Sequence, residues 1–187
     1  MFCSFNNAFK INPPMFDIWM RLLRKVEGSV LWLLEPNTNV PDNLRREAER
    51  RGVNADRLVF APRMTMEDHL ARHRLADLFL DTLPYNAHTT ASDALWAGLP
   101  VLTCLGTTFA GRVASSLLKA VGLPELITDS LQDYEALALK LAREPAALAS
   151  IKAKLAANRA TMPLLIPRGS CATSRLPMER CGRAISR

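Results

Sequence analysis

The chain has 187 residues, a net charge of +6 and an apolar fraction of 49%, enough for one domain with a real core. No run approaches the ~18 consecutive apolar residues of a membrane span. The opening MFCSFNNAFKINPP lacks the basic and long apolar regions of a secretory signal. A cytoplasmic chain without a membrane partner is the expectation. The charge is uneven: Arg168, Arg175, Arg180, Arg183 and Arg187 stand against Glu179 alone from Leu164 onward, so this tail holds +4 of the total. No aromatic residues separate those arginines for base stacking, and nucleic acid is not expected as a partner.

In chain order, strand and helix signals alternate. FCSF reads as a short strand and Pro13–Glu27 as a helix, with Met15, Ile18, Trp19, Leu22, Leu23 and Val26 at helical spacing. SVLWLLE, between Gly28 and Pro36, has the continuous apolar run of a strand buried on both faces. A charged helix over Pro41–Arg51 precedes the strand RLVFA. The helix Thr65–Ala76, the strand LFLD, the helix Thr90–Ala97 and the strand PVLT follow. Gly111–Val121 reads as a helix and Leu123–Thr128 as the place of a short last strand. Ser130–Arg143 and Ala146–Arg159 read as closing helices separated by Pro145. Such alternation predicts an α/β fold with a doubly wound, Rossmann-like parallel sheet and closing C-terminal helices. Residues 1–163 form that domain. Residues 164–187 have no helical or strand period and read as an irregular, disordered, Arg-rich tail. Cys3, Cys104, Cys171 and Cys181 are isolated, without metal or redox spacing.

Ligands bind beyond the carboxyl ends of the strands in such sheets, so the polar residues there carry the functional reading. His88, Thr89 and Thr90 fall where a strand hands over to a helix. Unpaired amides and a partial positive charge at a helix start suit a phosphate. Asp93, one turn in, suits ribose hydroxyls. A Thr90–Asp93 capping box is the plainer alternative, and one helix end can serve both purposes. His69 and Arg72 share a helix face, suited to a planar base or to solvent, behind a Thr65–Asp68 capping box. Asn6, Asn7 and Lys10 follow the first strand, and a lysine there suits a diphosphate. GTTFAG, residues 106–111, has the glycine spacing of a P-loop, but Arg112 and Val113 stand where Lys and Ser/Thr are required.

The segments FNNAFKINP, SVLWLLEPN, EDHLARHRLADLFLDTLPYNAHTTASDALWAGLPVLT and GTTFAGRVASSLL together resemble the carboxyl-terminal catalytic lobe of the O-linked N-acetylglucosamine transferases, including their Spindly-type branch. The resemblance runs from about residue 2 to 163. It implies the C-terminal lobe of a GT-B glycosyltransferase that transfers N-acetylglucosamine from UDP-GlcNAc to protein Ser/Thr, with inversion. By resemblance, Lys10 contacts the diphosphate and serves catalysis, with Asn7 beside it. His88, Thr89 and Thr90 hold phosphate oxygens, Asp93 takes the ribose, and His69 stacks on uracil with Arg72 beside it. The family uses no metal, so no cofactor is expected beyond the donor substrate UDP-GlcNAc. Expected partners are the nucleotide sugar, a protein Ser/Thr acceptor, and a separate chain supplying an N-terminal lobe and tetratricopeptide repeats. Asn7 stands where animal members have Gln, and Met66 where they have Lys. The abrupt Arg-rich tail suggests a frameshift, and inactivity as an isolated fragment is the expectation. The alternatives are a non-catalytic UDP-binding remnant and a Spindly-like, GDP-fucose-dependent protein O-fucosyltransferase lobe.

Overall fold

A computed structural model of the chain describes residues 1–35 and 39–159. The expected alternation is present. The strands are β1 (Phe2–Ser4), β2 (Leu31–Leu34), β3 (Leu58–Ala61), β4 (Leu78–Leu80), β5 (Val101–Cys104) and β6 (Ile127–Thr128). The helices are α1 (Pro13–Lys25), α2 (Asn39–Arg50), α3 (Met66–His73), α4 (Thr89–Ala97), α5 (Val113–Ala120), α6 (Leu131–Arg143) and α7 (Pro145–Arg159). Every strand pairing is parallel, in the order β3-β2-β1-β4-β5-β6. That is the doubly wound arrangement, and its switch point lies between β1 and β4. The expected boundary at residue 163 and the tail beyond it lie outside the described residues.

β1, β4 and β5 are buried along their whole length, as strands covered on both faces must be. α1 turns Met15, Phe16, Ile18, Trp19, Met20, Leu22 and Leu23 into the core. Asn12 caps its start, accepting from the Met15 amide at 3.1 Å. The other end of α1 is closed from a distance by Arg57. Its guanidinium donates to the carbonyls of Leu23 (2.6 Å), Val26 (2.8 Å) and Ser29 (2.7 Å). A cation there also meets the negative end of the helix dipole.

Pro145 begins α7, a position where the missing amide costs nothing. The structure shifts most expected helix starts by one or two residues, and two of these shifts lie beside the crevice. α5 begins at Val113, because Phe109–Gly111 winds as a 3-10 turn. α4 begins at Thr89, with His88 as an N-cap whose side chain caps nothing.

Candidate functional site

β1 and β4 lie side by side, so their carboxyl ends open into one crevice. From β1 come Asn6, Asn7 and, at the end of a 3-10 turn, Lys10. From β4 come Asp81 and the loop Thr82–His88 leading into α4.

Asp81 roots the crevice. It is 1% exposed. Its Oδ1 accepts from the amides of Thr82 (2.7 Å) and Ala87 (2.6 Å), which folds the loop back on itself. Its Oδ2 accepts from the Thr103 hydroxyl on β5 at 2.6 Å. Burial pushes its carboxyl up to about 6, while these donors pull the other way. Asn6, also buried, donates through Nδ2 to Thr82 Oγ1 (3.1 Å) and Asp81 Oδ1 (3.4 Å). Its Oδ1 accepts from the Thr90 hydroxyl at 3.1 Å.

The Thr90–Asp93 capping box does not form. Thr90 lies inside the first turn of α4 and its hydroxyl is turned to Asn6. Asp93 is half-buried, and burial raises its carboxyl above the ordinary value. Thr89 is exposed. Among the described residues the N-cap of α4, His88, makes no side-chain cap bond, so the start of the helix keeps its attraction for an anion. By contrast the Thr65–Asp68 box is made, with Thr65 Oγ1 accepting from the Asp68 amide at 3.2 Å.

Lys10 reaches across from β1. Its Nζ donates to the Asn86 carbonyl at 2.9 Å and lies 4.1 Å from the Tyr85 ring centroid. Burial lowers the ammonium below its ordinary value, and Asp81 raises it in part. Tyr85 in turn stacks on His88, with centroids 5.0 Å apart. The His88 Nε2 is 3.4 Å from the Ala110 carbonyl. Lys10, His88, Thr89 and Thr90 therefore gather around one loop, while Asn7 stands exposed at the rim.

His69 and Arg72 sit at the neighbouring end of β3, on α3. Arg72 is not on a solvated face: it is 5% exposed. Its Nη1 donates to the Pro62 carbonyl at 2.9 Å, its Nη2 meets His69 Nδ1, and its guanidinium lies 4.3 Å from the Phe5 ring centroid. An arginine nitrogen can only donate, so His69 Nδ1 accepts and the neutral ring carries its proton on Nε2. Burial, and then Arg72, lower the His69 pKa. Met66 is exposed at the start of the same helix. His73 is fully buried and edge-on to Phe5, and burial pushes it down to about 4.

His73 and Asp81 act oppositely on stability. The folded-state value of His73 lies below its ordinary 6.5, so the unfolded chain binds the proton more readily and stability falls as pH drops from 6.5 towards 4. The folded-state value of Asp81 lies above its ordinary 3.8, so its contribution rises as pH drops through about 6 towards 3.8. Asp81→Asn removes the second effect and leaves the first. Thermal midpoints of the variant are expected to fall more steeply between pH 6.5 and 4 than those of the wild type. Parallel curves would show that Asp81 does not titrate in that window.

The glycine spacing of GTTFAG has a packing cause. A Cβ on Gly111 would lie 2.9 Å from the Pro84 carbonyl oxygen, and one on Gly106 would lie 2.9 Å from Gly111 Cα. The loop after β5 crosses the loop after β4 backbone to backbone, fastened by the Asn86 amide on the Ala110 carbonyl at 2.8 Å. Asp81, Asn86 and this crossing carried no sequence signal of their own. Asp81 reads as the last letter of the strand LFLD.

Among the described residues no helix is long and apolar enough to cross a membrane. The chain is 37% identical over 171 residues to a Caenorhabditis elegans UDP-N-acetylglucosamine–peptide N-acetylglucosaminyltransferase, covering 91% of this chain and 15% of that protein. It is 38% identical over 165 residues to the probable enzyme of this name, SEC, of Arabidopsis thaliana, covering 88% and 17%. An O-GlcNAc transferase mutant from Thermobaculum terrenum superposes with a TM-score of 0.79 at 36% identity, covering 84% of this chain and 31% of that one. The chain thus spans under one fifth of the length of these two curated relatives. The model of glycosyl transferase family 41 matches residues 1–173, and with a sheet of this order and relatives of this similarity the chain belongs to that family.

Proposed function

We propose that this chain is the donor-binding lobe of a protein O-GlcNAc transferase, holding UDP-GlcNAc for transfer to Ser/Thr hydroxyls of proteins. The observation that carries this reading is the gathering of Lys10, His88, Thr89 and Thr90 around one uncapped helix start at the switch point. The diphosphate lies against the first turn of α4, where amide dipoles and the Lys10 ammonium supply positive charge. Asp93 accepts from the ribose hydroxyls. His69 faces the uracil, held by Arg72, which is itself committed to Pro62 and His69. Asn7 lines the rim.

In the proposed reaction an acceptor hydroxyl oxygen bonds to the anomeric carbon from the face opposite the diphosphate. The bond from that carbon to the phosphate oxygen breaks, its electron pair leaves with UDP, and the configuration inverts. The acceptor loses its proton to a base outside this cradle. Negative charge grows on the diphosphate as the bond breaks, and Lys10 with the start of α4 stabilises it by preorganisation. No metal has a part in the proposal. The attack also needs an acceptor held over the anomeric carbon. The described residues form one wall of such a cleft, so we infer that the 187-residue chain alone binds donor and transfers no sugar.

A thermal-shift titration with UDP and GDP tests the reading, beside a His88→Ala/Thr89→Ala variant. UDP at a hundredfold excess over Kd is expected to stabilise the wild type by about 2.7 kcal/mol, with the shift lost in the variant. A larger shift with GDP would favour a GDP-sugar donor such as GDP-fucose. No shift with either nucleotide, in a chain that melts cooperatively, would overturn the proposal.

A further inference from the structure

The residue holding the two strand ends in register with α4 is Asn6, and nothing in the donor-binding reading gives it a role. We propose that Asn6 is a positioning residue for the donor site, setting the Thr90 side chain from the buried Asp81 carboxylate. The inference rests on the reading above and deepens it. Asp81 is an acceptor and fixes which end of the Asn6 amide faces it: Nδ2 points to Asp81 Oδ1 and Thr82 Oγ1, at 3.4 and 3.1 Å. The amide oxygen is thereby turned towards α4, where the Thr90 hydroxyl donates to it at 3.1 Å. Asn6 is 2% exposed, so water does not substitute for either contact. Three elements meet in this chain of bonds: β1 through Asn6, β4 through Asp81, and α4 through Thr90. Its direction is set at the carboxylate, and its far end is a hydroxyl in the first turn against which the diphosphate is placed.

Removing Asn6 leaves Asp81 with the amides of Thr82 and Ala87 and the Thr103 hydroxyl, so the chain keeps its fold. Asn6 reaches the donor site through Thr90 in this assignment, whereas its bond to Thr82 would act through the loop, and a double-mutant cycle separates the two. UDP affinity is measured by calorimetry for wild type, Asn6→Ala, Thr90→Val and the double variant, with cooperative melting checked for each. Asn6→Ala is expected to weaken UDP binding about tenfold, the worth of one well-placed hydrogen bond. On the Thr90→Val background the same change is expected to cost nothing further. A lowered melting temperature with unchanged UDP affinity overturns the assignment and leaves Asn6 a structural residue. Additive losses in the double variant also overturn it, because Asn6 would then act by another route. A wild-type chain that melts cooperatively and takes no UDP overturns the donor-site reading itself, and this assignment with it.

Discussion

Gly111→Ala is expected to lower stability by about 3 kcal/mol and to abolish UDP binding together with it. The added methyl meets the Pro84 carbonyl oxygen at 2.9 Å and Gly106 Cα at 3.0 Å, both of them backbone. Neither can rotate away, so one of the two crossing loops must move, and overpacking of this kind costs roughly 1–3 kcal/mol or more. For a domain of this size that is a fall of roughly 6–12 °C in thermal midpoint. The loop that would be pushed is Thr82–His88, which carries the contact for Lys10 and the entry to α4. Gly52→Ala is the control. Gly52 has a φ of +71° with nothing within 4 Å of an added Cβ, so its penalty is the backbone cost of about 1–2 kcal/mol and UDP binding survives. The two melting curves and a UDP titration of each variant decide the matter. A Gly111→Ala chain that melts like the wild type would mean that the loops do not cross this tightly in solution.

The second large effect is at Lys10. Lys10→Met keeps the apolar stem beside Tyr85 and removes the ammonium with its bond to the Asn86 carbonyl. A hydrogen bond from a charged donor contributes about 1.5–3 kcal/mol, so UDP affinity is expected to fall roughly 10- to 150-fold while the melting temperature of the free chain changes little. Burial holds the Lys10 ammonium below its ordinary value. Its charge is therefore lost earlier than usual as pH rises, and wild-type affinity for UDP falls on the alkaline side while that of Lys10→Met stays level. Calorimetric titration of both proteins across that range measures this. Equal affinities at neutral pH would remove Lys10 from the diphosphate contact.

These sites show what a sequence reveals and where it falls silent. The parallel sheet was legible because strands covered on both faces leave continuous apolar runs, as in LFLD and PVLT, and because helical spacing between them is regular; in SVLWLLE, read the same way, burial alternates and Trp32 and Leu34 are only partly covered. The location of the crevice followed, since it depends on connectivity alone. Partner choice among polar residues was not legible. Thr90 and Asp93 have capping-box spacing, yet Thr90 turns to Asn6, 84 residues earlier in the chain. Arg72 has the spacing of a solvated face, yet the Phe5 ring and the Pro62 carbonyl draw it inward. Asp81 and Asn6 are distinguished only by burial, which depends on strands that meet across 75 residues of chain. The GTTFAG glycines have the spacing of a P-loop without its Lys and Ser/Thr, and their cause is the near contact of two backbones.

The pairing of β1 with β4 joins the two halves of the sheet and is short. It comprises two residue pairs, Phe2 with Leu78 and Cys3 with Phe79, against four between β2 and β3. Beyond the strand ends the same seam continues as side-chain stitches: Asn6 to Thr82, Lys10 to the Asn86 carbonyl, and Asn12 to the Leu83 carbonyl at 2.5 Å. The stitches that close the seam also build the crevice. A molecule lodged there touches both halves at once and acts as a removable cross-link between the first three strands and the last three. A ligand in the crevice would therefore strengthen the join between the two halves.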